Sequence, residues 1–317
     1  MKLNTLLLDW QYLRKEIIHK HLNNPNSKRN KIPIIDATNA FINGSFEPGA
    51  KKRNKNLKYE TYVISLNNFQ RLQTFSKYYN LDKPYKLFNG VNAKSLDFDH
   101  NDYKYTFGIK PKEIGIGHAG CTLSHLSLIE KLTNSNNDFF IIFEDDSVFF
   151  EYSPILLNNL ISKINKDMDV IYINSRSSNQ IYASIKYDDN TWSNLPTQLL
   201  YTKKESFKIM HKYKQNLILN KQNKPYLLNG NDGYIITKNG AKKLLSFLNS
   251  KQFNHKPLAP GHNIDTIFSD LSLCVKSNLF KNTYSQVLQE PILNAFISRY
   301  PVSAIAQSLG IKSPSTT

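Results

Sequence analysis

The apolar positions of this chain change their period several times, and each change predicts an element. Leu3, Leu6, Leu7, Trp10, Leu13, Ile17 and Ile18 recur at steps of three and four, the spacing of one helical face. That pattern stops at Asn23-Asn24-Pro25-Asn26, a cluster that breaks helices. Gly49 to Arg53 is basic and reads as a loop. From Tyr59 onward the apolar residues instead gather into short runs. Thr61–Leu66 reads as a buried strand, Asn67–Tyr79 as a helix, and Tyr85–Phe88 as a second strand closed by Asn89-Gly90. A helix follows over Cys121–Leu132, then strands at 139–143, Asp169–Ile173 and Tyr234–Ile236, and a helix over Asn239–Leu248. Strands alternating with helices predict an α/β fold with a central, mostly parallel sheet. The change of pattern divides the chain into a basic, partly helical N-terminal extension (1–58) and a main domain (59–317). Residues 174–228 are polar and irregular, the composition of loops around a site.

Phe139 to Phe143 are all aromatic or β-branched, as in a strand buried on both faces. Glu144, Asp145 and Asp146 follow at once. Clustered carboxylates repel one another and resist desolvation, so placing three at the end of a buried strand is costly unless something there needs them. A hard divalent cation does, because it takes oxygen ligands and often a nucleotide's phosphates as well. Alternation along an extended chain would set Glu144 and Asp146 on one side and Asp145 on the other. The competing reading is a solvated acidic turn that caps a core strand.

Composition narrows the class. The 317 residues are 40% hydrophobic and 12% aromatic, which is globular rather than disordered. No apolar run approaches the ~20 residues of a membrane span. Leu6-Leu7-Leu8 is too short for the core of a signal peptide, and the two cysteines, Cys121 and Cys274, suit a reducing compartment, so a cytoplasmic location is expected. The net charge of +16 is placed unevenly: residues 1–58 carry twelve Lys/Arg against four acids, half of the whole surplus. Such a surface attracts nucleic acid, anionic lipid or acidic substrates, or it reflects a Lys- and Asn-rich composition that keeps the protein soluble.

Several separated pieces bear on function together: Tyr62-Val63-Ile64-Ser65-Leu66, Phe88-Asn89-Gly90-Val91-Asn92-Ala93, Gly117-His118-Ala119-Gly120-Cys121-Thr122-Leu123-Ser124-His125, Ile142 to Asp146, and Gly233-Tyr234-Ile235-Ile236-Thr237 through Leu244. In this order they resemble glycosyltransferase family 25, the lipooligosaccharide glycosyltransferases of Gram-negative bacteria and their procollagen galactosyltransferase relatives. The resemblance covers roughly residues 59–295. It implies a GT-A-like fold and inverting, metal-dependent transfer of a hexose, galactose or glucose, from a UDP-sugar to a saccharide or glycolipid acceptor in surface-glycan synthesis.

The resemblance also assigns residues. Asp146 would ligate Mn²⁺ or Mg²⁺, and Glu144 would reach the ribose or a metal-bound water, with Asp145 orienting the turn beside the donor. Asp265, in Gly261-His262-Asn263-Ile264-Asp265, matches the family's catalytic base, and it also suits a helix N-terminus; its rival is Asp232, in Asn229-Gly230-Asn231-Asp232-Gly233, a Gly-flanked loop immediately before a strand. Ser65, Arg71, Asn92 and His125 fall at donor-binding positions. Ser65 stands where the family often has Asn, Asn92 where Asp is common, and Asn68 replaces one Arg of a pair that Arg71 half retains. Cys121, His125, Leu128 and Leu132 share one helical face, so His125 also suits a core role, and Cys121 reads as buried packing. His118 and His262 lack the His-x-x-x-His spacing of a zinc site.

Two other classes compete. A nucleic-acid-binding protein would explain the charge, but the chain lacks a helix-turn-helix, a zinc-finger spacing or an RNP-like pattern, so no nucleic-acid partner is expected. A metal-dependent phosphohydrolase would use the same acids, but the sequence offers no second metal cluster. Under the transferase reading, the basic excess would hold the enzyme peripherally on the anionic inner face of the membrane, each nearby Lys or Arg contributing about 1 kcal/mol.

Overall fold

The computed structural model describes residues 32–45, 57–95, 116–182, 199–202, 230–249, 264–273, 291–309 and 311. The amphipathic stretch over Leu3–Ile18, the breaker at 23–26, the basic loop at 49–53 and the loop around His262 lie outside these residues. In chain order the elements are α1 (Ile32–Ile42), β1 (Tyr59–Ser65), α2 (Phe69–Tyr78), β2 (Tyr85–Asn89), α3 (Ile116–Thr133), β3 (Phe139–Glu144), β4 (Ser147–Phe149), α4 (Ser153–Ser162), β5 (Val170–Tyr172), α5 (Ser175–Tyr182), β6 (Leu200–Thr202), β7 (Gly233–Thr237), α6 (Lys238–Leu248), α7 (Ile264–Leu273), β8 (Ala295–Ser298) and β9 (Ser303–Ile305).

Seven strands form one sheet in the order β2-β1-β3-β7-β5-β8-β6. β1 pairs in parallel with both β2 and β3, and β5 pairs in parallel with β8, while β7 runs antiparallel to β3 and β5, and β6 antiparallel to β8. Five strands thus point one way and two the other, so the sheet is mostly parallel in direction and mixed in its pairings. This α/β arrangement is consistent with a GT-A-like fold. β4 and β9 form a separate antiparallel pair, with Ser147 opposite Ile305 and Phe149 opposite Ser303.

β3 sits inside the sheet, and its side chains explain why. Phe139, Phe140, Ile141, Ile142 and Phe143 are all 0% exposed. Phe140 and Ile142 join a core with Leu126, Ile129 and Leu132 of α3, Leu244 of α6 and Phe268 of α7. Phe139, Ile141 and Phe143 join a second core with Phe75 of α2, Leu156 and Leu160 of α4 and Ala37 of α1. Each large apolar side chain buried this way contributes about 1.5–3 kcal/mol, which fixes the strand's place and register. α1, inside the basic first 58 residues, thereby packs on the body of the protein, and Asp36 also takes an ion pair from Arg299 at 3.1 Å.

The predicted elements from β1 through α6 recur within a few residues of their expected bounds. α1, β4, α4, α5, β6, β8 and β9 were not foreseen. Alternation stops at Glu144 because the chain turns at Asp145 and Asp146 before β4, so the expected opposition of Asp145 to Asp146 does not hold. Arg71 reaches both.

Candidate functional site

The carboxyl ends of β1, β2 and β3 open into a cleft of about 500 Å³, lined by Ser65, Asn68, Arg71, Asn92, Lys94, Gly117, Gly120, Cys121, Ser124, His125, Glu144 and Asp145 among others. Local chemistry builds each wall. At the end of β1, Asn67 adopts φ 60°, a left-handed conformation that Asn tolerates, and the chain swings into α2. Asn68 caps that helix by accepting from the Arg71 N–H at 3.1 Å, so the residue standing in for the missing Arg has a structural role. Gly120 lets α3 approach the loop after β2, since a Cβ there would stand 2.6 Å from the Val91 carbonyl oxygen. Ser124 locks the same contact, accepting from Val91 N–H at 2.8 Å.

The three acids have different surroundings. Asp145 is buried, accepting from the Ser65 hydroxyl at 2.5 Å with the Arg71 Nε at 2.9 Å. Burial pushes its carboxyl above the ordinary range, although Ser65 and Arg71 oppose that rise. Glu144 is partly exposed, with Oε1 lying 3.4 Å from His125 Nε2 and 3.8 Å from Cys121 Sγ. Its burial would raise its pKa, but His125, Arg176 and Arg71 together hold the carboxyl below the usual value. Asp146 meets Arg71 Nη2 at 2.7 Å through Oδ2, while Oδ1 is buried with no hydrogen-bond partner. Burial first, then the charge of Glu144, raises the Asp146 carboxyl to about 7.

Behind the turn stand the two rival bases. Asp232 is 0% exposed; Arg176 donates to its Oδ1 from Nε at 3.0 Å and from Nη2 at 2.7 Å, and Oδ2 has no partner. Asp265, in the first turn of α7, is half-buried and accepts from Asn231 N–H at 2.8 Å. Both carboxyls are raised, by burial first, with Arg176 opposing and Glu144 adding to the rise. Asp146, Asp232 and Asp265 are not among the residues lining the cleft, whereas Ser65, Arg71, Asn92, His125, Glu144 and Asp145 are. Asn92 accepts from Lys94 N–H at 3.2 Å, which shapes the loop it sits on. The described residues thus gather four acids, Glu144, Asp146, Asp232 and Asp265, against Arg71 and Arg176.

The Asp146 carboxylate fits a hard divalent cation. The residue is partly exposed, but its Oδ1 is buried without a partner among neighbouring acids, and oxygen donors are what such an ion takes. Sequence reasoning missed Arg176, which sits at the start of α5 just past β5 in a stretch that the sequence reads as irregular, and Tyr234, whose hydroxyl meets His125 Nδ1 at 2.9 Å. A lone Arg one turn beyond a buried strand was the available signal for the first.

The cleft lies at the carboxyl ends of parallel strands, the edge at which open α/β sheets bind ligands, with an acid cluster beside it. The model of glycosyltransferase family 25 (LPS biosynthesis protein) matches residues 58–267, and the chain belongs to that family. A Haemophilus influenzae protein called "Putative glycosyltransferase" is 25% identical over 201 residues, which cover 62% of this chain and 60% of the relative. The match therefore spans less than two thirds of that relative's length. No helix among the described residues is long and apolar enough to cross a membrane.

Proposed function

We propose that the protein is a metal-dependent inverting hexosyltransferase that moves galactose or glucose from a UDP-sugar to a saccharide or glycolipid acceptor in surface-glycan synthesis. The observation that carries this reading is the unpartnered, buried Oδ1 of Asp146 at the carboxyl end of β3, within a cluster of acids beside the cleft. Family membership supplies the reaction class.

Asp146 would hold Mn²⁺ or Mg²⁺, with Glu144 assisting. Such a cation would supply positive charge that offsets the charge developing on a leaving diphosphate. Arg71 positions the turn by gripping Asp145 and Asp146 together, and Ser65 ties the same turn to β1. Ser65, Asn92, His125 and Asp145 line the cleft that would receive the nucleoside. Asp265 is the better candidate base of the two. It is only half-buried, and its raised carboxyl brings it nearer the operating pH, where a base accepts the acceptor's hydroxyl proton most effectively. Asp232 is fully buried and committed to Arg176, which suits an electrostatic role. The basic surplus would keep the enzyme on an anionic membrane face, where a lipid-linked acceptor resides.

The test is a nucleotide-sugar hydrolysis screen with and without Mn²⁺ or Mg²⁺, because slow donor hydrolysis needs no acceptor. UDP release from one UDP-hexose, abolished by chelation, is expected. A folded protein that releases UDP from none of them with either cation would overturn the reading.

A further inference from the structure

We propose that Cys121, His125 and Glu144 form a second cation site in the wall of the cleft, one that selects Zn²⁺ or a similarly thiophilic ion. Cys121 and His125 are four residues apart on α3, so both project from the same face toward the end of β3. Their donor atoms and a Glu144 oxygen lie within 4.8 Å of one another. Tetrahedral zinc, with bonds of about 2.0 Å to nitrogen or oxygen and about 2.3 Å to sulfur, separates N from O by about 3.3 Å and S from O by about 3.5 Å. The observed separations from Glu144 Oε1 are 3.4 Å to His125 Nε2 and 3.8 Å to Cys121 Sγ, already close to that shell. The third separation, between Cys121 Sγ and His125 Nε2, lies within 4.8 Å, and an inward swing of the sulfur shortens it together with the contact to Glu144.

The histidine is oriented as a ligand requires. His125 is fully buried, and its Nδ1 meets the Tyr234 hydroxyl at 2.9 Å. With the proton on Nδ1 and donated to that oxygen, the Nε2 lone pair faces Glu144; outer hydrogen bonds of this kind fix the ring and raise its basicity. Three protein ligands leave a fourth position open toward the cleft, for water. On binding, the Cys121 S–H bond breaks, the sulfur–metal bond forms and the proton passes to solvent. A thiolate in the set distinguishes this site from the carboxylate oxygens at Asp146, since soft sulfur favours Zn²⁺ over Mg²⁺ or Mn²⁺.

Occupancy has a functional consequence. Glu144 would be committed to the thiophilic ion and withdrawn from the donor, so zinc would inhibit. This consequence rests on the cleft being the donor site, whereas binding itself does not.

Co²⁺ is the probe, because a thiolate bound to it absorbs in the near ultraviolet whether or not the protein is active. The full chain should develop that band at about one Co²⁺ per chain and lose it when Zn²⁺ is added. Cys121→Ser, nearly isosteric, should abolish the band, Cys274→Ser should keep it, and Tyr234→Phe should weaken Co²⁺ binding about 10-fold. No band in the wild type, or a band retained in Cys121→Ser and lost in Cys274→Ser, overturns the site. In the hydrolysis assay, Zn²⁺ should slow the wild type and not Cys121→Ser, each relative to its own zinc-free rate; equal slowing overturns inhibition through this site. Absence of donor hydrolysis alongside an intact cobalt band would instead count against the transferase reading alone.

Discussion

Two carboxylates with buried oxygens, at opposite ends of the sheet, are built in opposite ways. Asp169 stands at the amino end of β5 with no exposed surface, and both of its oxygens are satisfied. Oδ1 accepts from Asn239 at 3.0 Å, and Oδ2 accepts from Lys243 at 2.6 Å and from the Asn294 N–H at 2.9 Å. Asp146, just past the carboxyl end of β3, has one guanidinium contact and one orphaned oxygen, with Glu144, Asp145 and Asp232 close enough to raise its pKa. A buried carboxylate oxygen is common to both, so burial alone does not mark function. What marks it is the unmet demand for positive charge, which the protein meets at Asp169 and leaves open at Asp146.

The sharpest way to break this contrast is to remove each acid. Asp146→Ala should lower cation-dependent donor turnover by at least about 10²-fold, the scale of losing a transition-state electrostatic contact, while the unfolding midpoint stays at or above that of the wild type. Asp169→Ala should do the reverse: activity per folded molecule is kept, and denaturant unfolding shows a loss of about 2–3 kcal/mol. That is below the value for a fully buried pair because Lys243 is 41% exposed. If Asp169→Ala abolished turnover in still-folded protein, or Asp146→Ala unfolded the chain, the division of roles would fail.

How much of this was legible beforehand follows the same division. The strand at 139–143 and its acids could be read because five consecutive aromatic or β-branched residues permit few alternatives, and an abrupt change to carboxylates is a local signal. The partners of those acids could not. Arg176 is 30 residues from Asp146 and Asp232 is 86, and only the sheet order, with β7 inserted between β3 and β5, brings them together. Asp169 could be placed at a strand's start, but its satisfaction by Lys243, Asn239 and Asn294 depends on α6 and on the segment before β8, which no periodicity announces. The short strands β6, β8 and β9 were missed for a related reason. Three or four residues are too few to establish a period, and their pairing is decided by tertiary contacts.

A gentler probe acts on the cleft wall. Gly120→Ala would drive a Cβ against the Val91 carbonyl oxygen, a backbone atom that can yield only by moving the loop carrying Asn92. A loss of about 1–2 kcal/mol in stability is expected, with a raised KM for the donor and little change in kcat. At Gly44, where φ is +68° and no atom lies within 4 Å of a Cβ, the same substitution should strain only the local turn and leave KM unchanged.

The smallest effect is a dependence on pH. The Asp146 carboxyl is raised from the ordinary carboxylate range to about 7 in the folded chain. Between about pH 4 and pH 7 the folded state therefore holds a proton that the unfolded state has released. The state binding more protons loses ground as pH rises, so this group lowers folding stability progressively across that window and has its full destabilising effect above pH 7. Asp146→Asn removes this share, although Asp232 and Asp265, raised in the same direction, keep theirs. Unfolding midpoints of wild type and variant without divalent cation should coincide near pH 4 and diverge in the variant's favour by on the order of 1–2 kcal/mol by pH 7.5. Added Mn²⁺ or Mg²⁺ should close the gap from the wild-type side, because the cation supplies the charge that Asp169 already receives from Lys243. Parallel curves across the whole range would mean that Asp146 is no more frustrated than Asp169, and the contrast between the two ends of the sheet would be lost.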